Sequence, residues 1–126
     1  MTKNVSITKN LSPSKQRRLA RYQEEYRQLK KELQQVGHVL QGSITKRWME
    51  CGKDSCRCHD DPQSRHGPYY QWTWKHKGKT EALYLNEEQA DLCQEWIANH
   101  RALEKIVKRM RNLSLRVARL YNIRQK

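Results

Sequence analysis

Cys51, Cys56, Cys58, His59 and His66 stand close together in the chain, in the string CGKDSCRCH followed by RHGPYY. Thiolate and imidazole are the donors that zinc takes in tetrahedral structural sites, and four of them close such a site. The first ten residues, MTKNVSITKN, lack the apolar run of a secretory signal. The expected compartment is therefore the cytoplasm, where thiols stay reduced and a cysteine cluster reads as metal-binding before it reads as disulfide. Cys51, Cys56 and Cys58 supply three ligands. The fourth is His66 or His59. His59 follows a ligand directly, and adjacent residues rarely reach one ion without strain, which favours His66. The spacing C-x4-C-x-C-x7-H differs from the common CxxC knuckle, and three free thiols are the simpler alternative. Asp60 and Asp61 are poorer partners for a thiolate site. No HExxH pattern is present, so the expected cofactor is a structural Zn2+ rather than a catalytic one.

Strands must position this cluster. Residues 43–49 (SITKRWM) lead into it. From Tyr69 to Lys75 aromatic and polar residues alternate, placing Tyr70, Trp72 and Trp74 on one face. His76-Lys77-Gly78-Lys79 reads as a tight turn, with glycine supplying a positive φ, and residues 80–85 return. The segment 42–85 thus predicts a three-stranded antiparallel module pinned by zinc. Its aromatics, with Trp48, serve either as stacking platforms for bases or, more economically, as the module's own small core.

Helices flank the module. Ser12 and Pro13 form a good helix start, and Leu19, Tyr22, Tyr26, Leu29, Leu33 and Val36 follow at alternating steps of three and four, a heptad seam. The expected helix occupies 12–41, with Gly37 near its end, after a flexible arm at 1–11. A second helix opens at Asn86-Glu87-Glu88-Gln89, a capping box, and dominates the segment 86–126. Leu92, Trp96, Asn99, Leu103, Ile106, Met110, Leu113, Val117 and Leu120 make its seam. Asn99 either fixes a partner's register or faces solvent. Cys93 falls one residue off the seam and suits a small core position. The fold class is α+β: a long N-terminal helix, the β module and a long coiled-coil helix. The first helix is expected to cover only part of the second in an antiparallel hairpin, so the rest of the apolar seam running from Leu92 through Trp96, Leu103, Ile106, Met110, Leu113 and Val117 to Leu120 should pair with another copy or another protein, a homodimer being the default.

Charge points to the partner. Lys plus Arg number 26 against 13 Asp plus Glu, a net charge of +13 on 126 residues. Such a surplus favours a polyanion. From Lys105 to the last residue there are eight basic side chains and no acidic one, more than a helix dipole requires. Lys105, Lys108, Arg109, Arg111, Arg116 and Arg119, with Arg17, Arg18 and Arg21 on the first helix, are the expected phosphate contacts. There is no run of 18 apolar residues for a membrane span, no Gly-rich phosphate loop, and little core from which to build a deep pocket. Tyr121 beside Arg119 and Arg124 lacks an enclosed site, so an enzyme is not expected.

The string CGKDSCRCH, then HGPYYQWTWKHKGKT, then a long helix, resembles a family of short bacterial proteins encoded beside transposases and recombinases. The layout over residues 12–120 is similar to transposition accessory protein C of site-specific transposons that also encode two tyrosine recombinases. The resemblance matches Cys51, Cys56, Cys58 and His66 to the family's pattern. It implies a non-catalytic, DNA-binding helper that acts with the recombinases on transposon ends or target DNA and influences insertion frequency and orientation, in the bacterial nucleoid. An RNA-binding zinc protein and a protein–protein adaptor to a recombinase are the alternatives.

Overall fold

The structure, a computed structural model, describes residues 11–123. Most of the expected arm at 1–11, and the basic residues Arg124 and Lys126, lie outside the described residues. The elements run α1 (Pro13–Gln34), β1 (Ser43–Met49), two short 3-10 turns, β2 (His66–His76), β3 (Lys79–Leu85) and α2 (Glu87–Leu120). The class is α+β, with two helices and one three-stranded antiparallel sheet. No helix is long and apolar enough to cross a membrane among the described residues.

The chain forms two compact units. One comprises the chain up to Val36 together with the stretch from Ala102 onward; the other is Gly37–Arg101. The first unit is an antiparallel pairing of α1 with the later part of α2. Leu11, Leu19 and Leu120 bury together, with Tyr22, Val117 and Tyr121 packed on them. Farther along, Leu29 buries with Ile106 and Leu113, covered by Tyr26, Leu33, Val36 and Met110. Low residue numbers on α1 therefore meet high ones on α2. The Ser12 hydroxyl accepts from the Lys15 N–H at 3.3 Å, and Pro13 opens the helix.

This packing corrects one expectation and bears out another. Leu11 is only 8% exposed and belongs to the core, not to an arm. The expected antiparallel hairpin is present, and it takes up the later part of the α2 seam. Ile106, Leu113 and Leu120 are buried, while Met110 and Val117 cover the same clusters. A coiled-coil partner helix is not what these residues face; their partner is α1.

The helix α1 ends at Gln34, with Gln35 as its cap, rather than at 41. The reason is tertiary. Within the second unit, Asn99 donates from Nδ2 to the His38 carbonyl at 2.8 Å. The Leu40 N–H donates to the Trp96 carbonyl at 3.1 Å, and the His38 ring stacks on Trp96 with centroids 5.1 Å apart. Residues 38–40 thus find their backbone partners on α2 rather than in a continued helix. A Cβ on Gly37 would lie 3.0 Å from Asn99 Nδ2, so this glycine permits close approach. Through its bond to the His38 carbonyl, Asn99 holds the segment that leaves α1.

The sheet has the order β1-β2-β3. Its β2–β3 turn places Lys77 at φ 50 and Gly78 at φ 79, the double positive φ of a two-residue hairpin loop with matching twist. The α2 start forms as a reciprocal capping box. The Gln89 N–H donates to Asn86 Oδ1 at 2.8 Å, and the Asn86 N–H to Gln89 Oε1 at 2.9 Å. In this part of α2 the buried residues are Ala90 and Ile97, and Leu92 is 46% exposed. Cys93 is half-buried.

If the core lies within the chain, Leu29→Ala, which truncates a side chain only 2% exposed, lowers the unfolding free energy by about 2–5 kcal/mol. Leu92→Ala on the former seam lowers it by no more than about 0.5 kcal/mol. Urea unfolding followed by circular dichroism reads both. Equal losses would place the seam in an interface instead.

Candidate metal centre

Residues 50–65 connect β1 to β2. Leucine, isoleucine, valine and the aromatics are all absent from this loop, so apolar burial alone gives it little reason to hold one shape. Polar contacts order its parts. Arg57–His59 and Pro62–Ser64 form single 3-10 turns. Asp61 caps the second, accepting from the Gln63 N–H and the Ser64 hydroxyl, each at 3.0 Å. Glu50 reaches His59 Nδ1 at 3.2 Å and Arg65 at 3.8 Å, bracing the loop across its ends.

The cluster sits where the loop meets the sheet. Met49 on β1 pairs with His66 on β2, after a register shift between Arg47 and Met49. The ladder thereby fixes His66 across from the residues that lead to Cys51. Gly67 has φ 143, and a Cβ there would stand 2.7 Å from the Arg47 carbonyl. Only glycine lets β2 pass so close to β1 beside the cluster.

Cys51, Cys56, Cys58 and His66 each contribute one donor atom, and these four atoms lie within 4.8 Å of one another. Cys51 and Cys58 Sγ are 3.6 Å apart, and Cys56 Sγ is 3.3 Å from His66 Nε2. The edges of a zinc tetrahedron would be about 3.8 Å between sulfurs and about 3.5 Å from sulfur to nitrogen, given the usual bond lengths. The donor set therefore fits a tetrahedral ion. His59 is occupied elsewhere, with Nε2 2.8 Å from the Lys53 carbonyl and Nδ1 on Glu50. The spacing argument for His66 over His59 agrees with this geometry. Asp60 lies outside the donor set and Asp61 is a cap.

The electrostatics suit thiolate ligands. Cys56 is pulled down to about 6, first by the backbone N–H of Cys58 and then by His66 and the neighbouring thiols. Cys58, buried to 1% exposure, is held to about 11. The Cys51 N–H, 3.2 Å from its sulfur, favours its thiolate, but burial and the two adjacent thiols outweigh that donor. His59 is raised by the Lys53 carbonyl and, against burial, by the Glu50 carboxylate. Three thiols this close cannot all ionise without a cation to offset them.

The other expected site residues are dispersed. Arg17, Arg18 and Arg21 are exposed on α1, and Lys105, Lys108, Arg111 and Arg119 on α2. Arg109 reaches Glu32 at 3.7 Å. Arg109 and Arg116 line a cleft with Glu25 and Leu29, so both arginines have a carboxylate nearby. Of the seam, Trp96 stacks on His38, and Leu103 is half-buried. Trp72 and Trp74 stack on each other at 3.8 Å between ring centroids. The Trp72 indole N–H donates to the Gln41 carbonyl at 2.9 Å. These rings, with Tyr70, are half-buried and serve the module's own packing. Sequence reasoning missed the exposed Tyr69 and Tyr84, which lie out of phase with that aromatic face.

His66→Ala abolishes stoichiometric metal binding, whereas His59→Ala retains it, as metal analysis of the dialysed proteins reads. Loading the site strips the proton from Cys58 and, near pH 6, from part of Cys56, so affinity rises with pH. Chelator competition at about pH 6 and about pH 8 checks the sign, with tighter binding and proton release expected at the higher value. Affinity independent of pH would contradict thiol ligation.

No curated protein and no solved structure matches the chain. Residues 15–95, which run from the first turn of α1 through the whole sheet and metal cluster into the start of α2, match the family described as Domain of unknown function (DUF6788), and the chain belongs to that family.

Proposed function

We propose that this protein is a non-catalytic accessory factor of DNA transposition or site-specific recombination, stabilised by a structural zinc ion, that binds duplex DNA through one end of its helical pair. The zinc assignment rests on the Cys3His donor set, which suits zinc better than hard cations. The observation that carries the DNA reading is the polarity of the helix pairing. Leu19 and Leu120 bury together, so the antiparallel arrangement brings the beginning of α1 beside the end of α2. Arg17, Arg18 and Arg21 thereby join Arg119. No Asp or Glu occurs in residues 13–23 or in 105–126. Two basic segments separated by almost a hundred residues thus share one end of a helical unit, a surface matched to the phosphate backbone.

The resemblance of the CGK-CxC-HGPYY block supplies the context: a helper to tyrosine recombinases, acting on transposon ends or target DNA. In this reading the recombinases break and rejoin DNA, and this chain positions or stabilises their complex. The burial of Ile106, Leu113 and Leu120 inside the chain leaves the earlier part of the α2 seam, where Leu92 is exposed, for a second copy.

Titration of the zinc-loaded protein against duplex DNA at several salt concentrations tests the reading. Affinity is expected to fall steeply with salt. Replacing Arg17, Arg18 and Arg21 by Gln lowers the slope of log K on log salt by up to roughly 2.7, at about 0.9 per lost phosphate contact. An unchanged slope, or DNA association only when a recombinase is present, would overturn direct binding at this end.

A further inference from the structure

The sheet has a second face, opposite the stacked tryptophans. The cross-strand register pairs Arg47 with Tyr69 and Gln71 with Tyr84. Arg47 Nη1 donates to Gln71 Oε1 at 3.4 Å, so the four side chains form a diagonal row across all three strands. Tyr69 is 41% exposed and Tyr84 61%. Alternation along β2 puts Lys75 on this same face, toward the hairpin turn that carries Lys77 and Lys79. No Asp or Glu occupies it in any of the three strands; Glu81, the one acidic strand residue, pairs with Trp74 on the opposite face. The face therefore combines two open phenol rings at diagonal spacing with cations at both ends.

We propose that this face binds single-stranded DNA, with Tyr69 and Tyr84 stacking on unpaired bases and Arg47 and Lys75 holding the phosphates that flank them. Aromatic platforms in a cationic track are how proteins grip unpaired strands without reading sequence. Duplex DNA cannot use them, because its bases are already stacked on one another. The gap between the two tyrosines, bridged by Gln71, lets successive bases meet successive rings. This inference rests on the DNA reading above but uses a different surface from the helix ends, so the two separate experimentally. It gives the protein a reason to act where strands open at a recombining junction.

The test is fluorescence anisotropy of a labelled oligothymidylate and of a labelled duplex, with the zinc-loaded full chain at one salt concentration. The double variant Tyr69→Ala/Tyr84→Ala is expected to bind oligothymidylate at least about tenfold more weakly, with duplex affinity unchanged. Tyr69→Phe/Tyr84→Phe retains the rings and retains binding. Should the double alanine variant lose its metal or its native circular dichroism, Tyr84→Ala alone, at the most exposed of the two rings, carries the test with a loss of about fivefold expected. Oligothymidylate binding that is absent in the unaltered protein, or unmoved by a folded alanine variant, would overturn the proposal. In either case, duplex binding that is still lost on replacing Arg17, Arg18 and Arg21 would leave the helix-end reading standing. Failure to bind either nucleic acid would overturn both.

Discussion

Four donor atoms brought within 4.8 Å of one another are the constraint on which the sheet unit depends. The loop at 50–65 has almost nothing to bury; Cys58 is its one buried residue. Ordering such a segment opposes folding by a large conformational entropy, and its turns, cap and ion pairs are mostly exposed contacts of small individual worth. Three crowded thiols also resist joint ionisation. One divalent ion held by the four would reverse both effects: it would offset the thiolate charge and tie Cys51, Cys56 and Cys58 to His66, the first residue of β2. Because His66 pairs with Met49, a bond to the loop is also a clamp on the β1–β2 ladder. The Gly67 approach to the Arg47 carbonyl belongs to the same constraint.

The second organising element is α2, which serves two different packings along its length. Ala90 and Ile97 are buried in its earlier part, and Ile106, Leu113 and Leu120 in its later part. Each set keeps a seven-residue step, but the step from Ile97 to Ile106 is nine, which at 3.6 residues per turn is two and a half turns. A continuous heptad from Leu92 onward describes only the later set, which explains why Leu92 is exposed and Ile97, off that seam, is buried.

Features fixed by local chemistry were legible in the sequence. The Ser12-Pro13 start, the Asn86–Gln89 capping box, the Lys77-Gly78 turn and the Cys3His spacing each follow from residues a few positions apart. The fourth member of the cluster was legible because His59, adjacent to Cys58, was sterically unfavoured, although the partners of His59, Glu50 and the Lys53 carbonyl, could not be read. Features set by distant partners were not legible. The end of α1 depends on Asn99 and Trp96, some sixty residues away. The open tyrosines were hidden by the stronger tryptophan alternation, since adjacent aromatics at 69 and 70 point to opposite faces and only the pairing register tells which is exposed.

X-ray absorption at the zinc edge, on protein purified without added chelator, tests the metal constraint most directly. The account predicts three sulfur scatterers at about 2.3 Å and one nitrogen at about 2.0 Å, the shell of a closed Cys3His site. A shell of oxygen and nitrogen alone, or a protein that folds its sheet with no metal bound, would contradict it.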